Sequence, residues 1–274
     1  MISEILLGGL SIGGIGIVLG TVLAYAAKTF HVPVDPKVEA INDVLPQGNC
    51  GGCGYAGCGS YAEAICKDNV AINLCAPGGQ AVIDGIANIM GVEASCAEPM
   101  VAYIGCQGSP DKAVDRFDYL GPTTCSNAIF VSGGLKACNY GCLGYGDCVN
   151  ACMFGALYLD ESTRLPVVDR DLCVGCEACT KACPKNVVSM MPKSKNVYVA
   201  CNSRDKGKIV SEFCEAGCIA CKICSLPKTT PSGAVKVKGN LPVIDYSIED
   251  DLLVTAEKCP KKCFLVLGDR KSVV

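Results

Sequence analysis

The sequence predicts an α+β chain organised around groups of cysteine rather than around one large apolar core, with a transmembrane helix at its amino end. Three observations predict this. The 274 residues hold 23 cysteines against one histidine, no tryptophan and 6% aromatics. Residues 5–27, ILLGGLSIGGIGIVLGTVLAYAA, carry no charged side chain. Two stretches, ALYLDESTRLPVVD (156–169) and AVKVKGNLPVID (234–245), alternate as β-hairpins do, and each follows a cysteine group.

The most specific stretch is CVGCEACTKACP, Cys173 to Pro184. It reads C-x-x-C-x-x-C-x-x-x-C-P, the iron–sulfur run of bacterial ferredoxins. In such a run three thiolates hold one cluster and the fourth serves the neighbouring cluster. Four cysteines, three spacings and a proline must all agree, whereas a lone CxxC fits zinc or a redox pair equally. A secreted disulfide scaffold is usually shorter and does not pack its cysteines this way, so the composition points to metal ligation in a reducing compartment. A Rieske centre needs two histidines, and His31 stands alone. Cluster ligation replaces part of the missing aromatic core, because metal binding contributes folding free energy. The net charge of −3 excludes a basic nucleic-acid surface. No G-x-G-x-x-G follows a strand, so no nucleotide is expected on this chain.

In chain order, residues 1–28 come first. At 1.5 Å per residue, Ile5 to Ala27 is long enough for a hydrocarbon core of about 30 Å. Gly9-xxx-Gly13 and Gly16-xxx-Gly20 suit close helix packing in lipid, or simply face it. Ala24-Tyr25-Ala26 resembles a signal-peptide cleavage site, but the amino end has Glu4 and no Lys or Arg, and the apolar stretch is too long for an h-region. Lys28 and Lys37 follow the span and place the remainder in the cytoplasm, the side thiolate chemistry also requires. The expectation is a single-pass protein of the cell membrane.

Residues 29–95 form the next unit. After a linker with Pro33 and Pro36 comes CGGCGYAGC, with Cys75 further on. Cys50, Cys53, Cys58 and Cys75 are interleaved with glycines 51, 52, 54, 57 and 59, which let the backbone fold tightly and aim amide N–H groups at sulfur. Ser60–Lys67 and Gly79–Met90 read as helices, and Cys66 as a buried bystander. A glycine-rich N-terminal span, the CGGCGYAGC domain and ferredoxin motifs downstream, in this order, resemble the RnfB family. These are the iron–sulfur subunits of the Rnf ion-translocating ferredoxin oxidoreductase complexes. The resemblance covers nearly the whole chain and implies one [4Fe–4S] cluster on Cys50, Cys53, Cys58 and Cys75.

Residues 96–195 read as a two-cluster ferredoxin-like unit. Pro99 to Gly105 is a strand ending at Cys106, and Asn127 to Leu135 a helix preceded by Cys125. In CNYGCLGYGDCVNAC, Cys138 to Cys152, the ferredoxin run is interrupted, since Tyr145 occupies the second cysteine position. Cys138, one helical turn before Cys142, is the expected substitute. This assigns Cys138, Cys142, Cys148 and Cys183 to one cluster, and Cys152, Cys173, Cys176 and Cys179 to the other. Residues 196–274 repeat the unit in degenerate form. Placing Asp169 on Asp245 puts Glu249, Leu252 and Thr255 at the positions of Cys173, Cys176 and Cys179, and placing Gly155-Ala156 on Gly233-Ala234 puts Thr230 at that of Cys152. One complete ligand set is gone, and Cys218, Cys221, Cys224 and Cys259 remain as the other, unless Cys214 or Cys263 joins them. Cys106, Cys125, Cys201 and Cys214 stay open between small buried thiols and a further cluster.

The expected function is a membrane-anchored electron-transfer subunit with no catalytic residue of its own and four [4Fe–4S] clusters. The resemblance implies that it accepts electrons from reduced soluble ferredoxin and relays them to other Rnf subunits in the membrane, which carry the nicotinamide, flavin and ion chemistry. The alternative is an electron donor to a redox-sensing regulator or to a corrinoid protein.

Overall fold

In the computed structural model of the chain, residues 2–29, 35–94 and 98–267 are described. His31 and Cys96 lie outside them. The first element is a helix, α1, over Ile2–Thr29. The membrane span expected over Ile5–Ala27 is corrected here: among the described residues no helix is long and apolar enough to cross a membrane. The part of α1 whose side chains are described without interruption runs from Gly13 to Ala26. Within it Gly13, Gly14, Gly16 and Gly20 dilute the apolar surface. The first part of the expected span lies outside the residues whose side chains are described. With the span, the single-pass topology and membrane localisation lose their support.

Three helices follow: α2 (Pro36–Val44), α3 (Cys58–Asp68) and α4 (Gly79–Met90). Asp35 caps α2, its carboxylate accepting from the Lys37 amide at 2.9 Å, and Pro36 occupies the first turn, where a missing N–H costs nothing. Gly91 ends α4 at φ +69, the left-handed conformation that glycine adopts without strain. Ile41, Tyr61, Ala62, Ile65 and Ile86 close this unit, all at most 1% exposed.

The remainder is two copies of one design. In the first, β1 (Met100–Ile104) leads through a short helix α5 (Cys125–Ala128) and α6 (Asp147–Asn150) to a hairpin of β2 (Leu157–Leu159) and β3 (Pro166–Val168). Then α7 (Ala178–Ala182) and β4 (Val188–Pro192) return the chain, and β4 pairs with β1 antiparallel, Met100 opposite Pro192 and Ile104 opposite Val188. In the second copy, β5 (Val197–Val199) leads through α8 (Gly207–Phe213) to the hairpin of β6 (Val235–Lys238) and β7 (Leu241–Ile244). There α9 (Leu253–Lys258) and β8 (Phe264–Val266) complete it, β8 pairing with β5. Both hairpins form where the alternation places them, with Leu157 opposite Val168 and Val235 opposite Ile244. Gly239, at φ +64, supplies the positive φ the tight second turn requires. The backbone repeats with the sequence, since the left-handed residues Gly144, Gly146 and Asn186 recur as Ala220, Lys222 and Lys262, each 76 positions on. The helix expected over Asn127–Leu135 is shorter and earlier. It ends at Ala128, and Gly133 and Gly134, both at positive φ, keep the chain in turns beyond it.

The two copies meet along their outer strands. Val101, Met191, Tyr198 and Ala200 form one buried cluster, and the rings of Tyr103 and Tyr198 lie 5.0 Å apart. Each copy also has its own inner core, Leu157, Leu165 and Val187 in the first, Val235, Leu252 and Phe264 in the second.

Candidate iron–sulfur sites

The cysteines do not converge as single-ion sites. Among the described residues no three His, Cys, Asp or Glu side chains could hold one metal ion. A single tetrahedral ion with bonds of about 2.3 Å to sulfur needs thiolates in mutual contact. Here they stand around cavities instead, the arrangement that a ligand several ångströms across requires.

Cys50, Cys53, Cys58 and Cys75 line one cavity. Cys58 opens α3, with its amide donating to the Asn49 side chain at 2.8 Å. The Tyr61 hydroxyl donates to the Ala71 carbonyl at 2.8 Å and accepts from the Leu74 amide at 3.2 Å, which fixes the loop carrying Cys75. Burial pushes the Tyr61 phenol up to about 12, so it stays a neutral donor. Phe154 lines this cavity and also the next one, formed by Cys152, Cys173, Cys176 and Cys179. The two are in direct contact, because a Cβ on Gly52 would stand 2.9 Å from the Cys176 carbonyl oxygen. Only glycine permits that approach.

A third cavity is lined by Cys125, Cys142, Cys148 and Cys183. Cys138 is not among them and lines a different one. The Asp147 carboxylate places Cys125, accepting from its amide at 2.8 Å and from the Ser126 amide at 2.9 Å. Tyr145, at the interrupted position of the run, turns away to pack on Tyr119 at 5.8 Å. Sequence spacing left Cys125 open, because it lies 17 positions before Cys142. The available signal was its thirteen-residue step to Cys138, matched by Cys201 to Cys214.

In the second copy Cys218, Cys221, Cys224 and Cys259 line a cavity together with Cys263. The hydrogen bond from Cys263 holds Cys259 down to about 5 and Cys218 to about 7, while the Cys263 thiol is pushed up. Cys263 is thus the proton donor of the three. The space beside the positions equivalent to Cys152 and Cys179 is closed by hydroxyls. Thr230 and Thr255 are 2% and 1% exposed, and their Oγ1 atoms are 2.7 Å apart.

The donor sets fit iron–sulfur clusters. Amides point at sulfur from Ala102 to Cys173 at 3.5 Å, from Val187 to Cys183 at 3.4 Å and from Cys263 to Cys259 at 3.3 Å, the hydrogen bonding by which a protein tunes a cluster. Burial pushes Cys148 up to about 12 and Cys179 to about 11, and the neighbouring thiols add to both shifts. Such crowded thiolates become stable only beside a cation.

Residues 45–77 match a family described as "Putative Fe-S cluster", and residues 137–187 one described as "4Fe-4S dicluster domain". The chain is 47% identical over 235 residues to the B subunit of the proton-translocating ferredoxin:NAD(+) oxidoreductase complex of Clostridium ljungdahlii, covering 85% of this chain and 82% of that one. The chain belongs to the RnfB family, the B subunits of ion-translocating oxidoreductase complexes. The family member of Methanosarcina acetivorans is 38% identical over 261 residues, 95% of this chain and 98% of that one. The B subunit of the Na(+)-translocating ferredoxin:NAD(+) oxidoreductase complex of Acetobacterium woodii is 40% identical over 269 residues, 98% of this chain and 79% of that one.

Proposed function

We propose that the chain is an electron-transfer subunit of an Rnf-type complex, taking electrons from reduced ferredoxin and delivering them to other subunits. What carries the reading is the file of cysteine-lined cavities running from the N-terminal unit into the first ferredoxin-like copy, with Gly52 seated against the Cys176 carbonyl. Bound there, [4Fe–4S] clusters supply one-electron chemistry at potentials that ligand type, hydrogen bonds to sulfur and burial set. The chain's own part is to hold the ligands, exclude water and keep neighbouring sites in contact. The relatives' names place ferredoxin and NAD(+) with their complexes, and no membrane anchor on this chain enters the proposal.

The ligand sets we assign are Cys50, Cys53, Cys58 and Cys75; Cys152, Cys173, Cys176 and Cys179; Cys125, Cys142, Cys148 and Cys183; and Cys218, Cys221, Cys224 and Cys259. The test is reduction of the purified chain by reduced ferredoxin, followed through bleaching of the iron–sulfur absorbance. Wild type is expected to bleach, and Cys176→Ala to lose about four irons, one cubane. A chain that binds no iron, or whose absorbance ferredoxin leaves unchanged, refutes the proposal.

A further inference from the structure

One cavity is not used by the sites above. It lies between the two ferredoxin-like copies and is lined by Cys106, Cys138, Cys201 and Cys214. We propose that these four thiols hold an additional [4Fe–4S] cluster that joins the two copies.

The four thiols come as two matched pairs. Cys106 stands two residues past the end of β1, and Cys201 two residues past the end of β5, the corresponding strand. Cys138 and Cys214 open the runs CNYGC and CEAGC, which share C-x-x-G-C. Segment 112–116 draws these runs together. The Val114 amide donates to the Phe213 carbonyl at 2.9 Å, Glu215 donates to Lys112 at 2.8 Å, and Ala137 donates to Val114 at 2.9 Å. Each copy therefore contributes one strand-end thiol and one C-x-x-G-C thiol.

The surroundings are those of a cluster site. The Cys142 amide donates to Cys106 Sγ at 3.5 Å, and the corresponding Cys218 amide donates to Cys201 Sγ at 3.3 Å. Gly108 adds a second amide to Cys106 at 3.3 Å. Gly217 also lets Val210 close over its run, since a Cβ there would collide with Val210 Cγ1. Lys136 lines the cavity at 6% exposure and donates to the Gly108 carbonyl, and among the described residues no carboxylate pairs with it. A buried ammonium without a counter-ion is costly, and a cluster bound by four thiolates carries the negative charge that offsets it. The cavity spans about 390 Å³ including space open to solvent, against about 400 and 380 Å³ for the cavities of Cys218 and Cys142. Small buried thiols fill space, whereas these four surround it.

The test is iron, sulfide and zinc analysis of the anaerobically prepared full chain beside Cys201→Ser and Cys214→Ser, with Cys66→Ser as control. The expectation is about twenty irons in wild type and in the control and about sixteen in either variant, at four per cubane. A wild-type value near sixteen that the two variants leave unchanged overturns the proposal, as does one zinc per chain that they remove. If both variants misfold and lose all iron, Lys136→Gln decides. It is expected to keep its iron and shift one component of a redox titration to lower potential, and an unchanged titration overturns the site. The site rests on the iron–sulfur reading, but the two fail differently: a chain without iron refutes that reading, and one with sixteen irons refutes this site alone.

Discussion

The Thr230–Thr255 pair offers a quantitative test of how the second copy fills the space where the first copy carries Cys152 and Cys179. The Thr230 hydroxyl donates to the Cys224 carbonyl at 2.7 Å, which leaves its oxygen to accept from Thr255. Thr255 has a second acceptor in reach, the Thr229 carbonyl at 3.3 Å. The two substitutions to valine are therefore unequal. In Thr255→Val, Thr230 keeps its donation and loses one partner, a net loss of about 1 kcal/mol. In Thr230→Val the buried Cys224 carbonyl loses its donor and Thr255 falls back on the longer bond. The cost is then that of an unsatisfied buried group, about 1–3 kcal/mol. In the double variant the lost bond is counted once, so the two costs add to less than their sum. Hydrogen exchange of the α9 and hairpin amides in the full chain reads these values as local opening free energies. Protection is expected to fall about 5-fold for Thr255→Val and by up to about 150-fold for Thr230→Val. Equal or reversed losses, or full additivity, would refute the assignment of donors and with it the idea that these hydroxyls close the space as a unit.

Three further outcomes are expected. Asp147→Ala removes the acceptor of the Cys125 and Ser126 amides, and a cost on the order of 2 kcal/mol should appear as preferential loss of about four irons on warming; Asp147→Asn, which keeps an acceptor oxygen, should lose less. Tyr61→Phe severs the bridge between Ala71 and Leu74 and should raise exchange of the Cys75 loop amides by about 1–3 kcal/mol of local opening, without altering iron held by the other units. Gly52→Val places side-chain atoms where the Cys176 carbonyl stands, so magnetic coupling between the N-terminal and first central sites in the reduced chain should weaken while iron content holds.

The parts of this protein that were legible in its sequence are those written in local patterns. The hairpins at 157–168 and 235–244 form where alternation places them, and the α4 boundaries coincide with the helix read from Gly79 to Met90. Cys138 illustrates what was not legible. Counting one helical turn before Cys142 made it the substitute for Tyr145, but the segment there is not helical, and the thiol turns to the seam between the copies while Cys125 approaches from an earlier loop. Which thiols share a cavity depends on how the strands close, and β1 finds its partner only at β4. The gapless overlay of the two copies also slips locally. The residue before α7 and that before α9, Glu177 and Leu252, are both left-handed but 75 apart, while Cys183 and Cys259 at the helix ends are 76 apart, because α9 is one residue longer. The N-terminal span was argued from the absence of charge over residues 5–27 and from their length, and the glycines of that stretch also thin its apolar surface.

The closure of each copy by its first and last strands also sets a schedule for biosynthesis. β4 begins 84 residues after β1 ends (188 against 104), and β8 begins 65 after β5 ends (264 against 199). At about 5–20 residues per second, the nascent β1 waits roughly 4 to 17 s for its partner. During that interval its hydrogen-bonding edge and the apolar face of Val101 have nothing to cover them. The seam waits longer still, since Ala200 accepts its place only when Cys263, bonded to it at 2.7 Å, has been made. A chain released early, at the link between the copies, would leave the ribosome with Val101 and Met191 facing water. The growing polypeptide thus depends on β4 and on the first strand of the second copy to protect a strand laid down at residue 100, and factors that hold nascent chains would find their hardest task there.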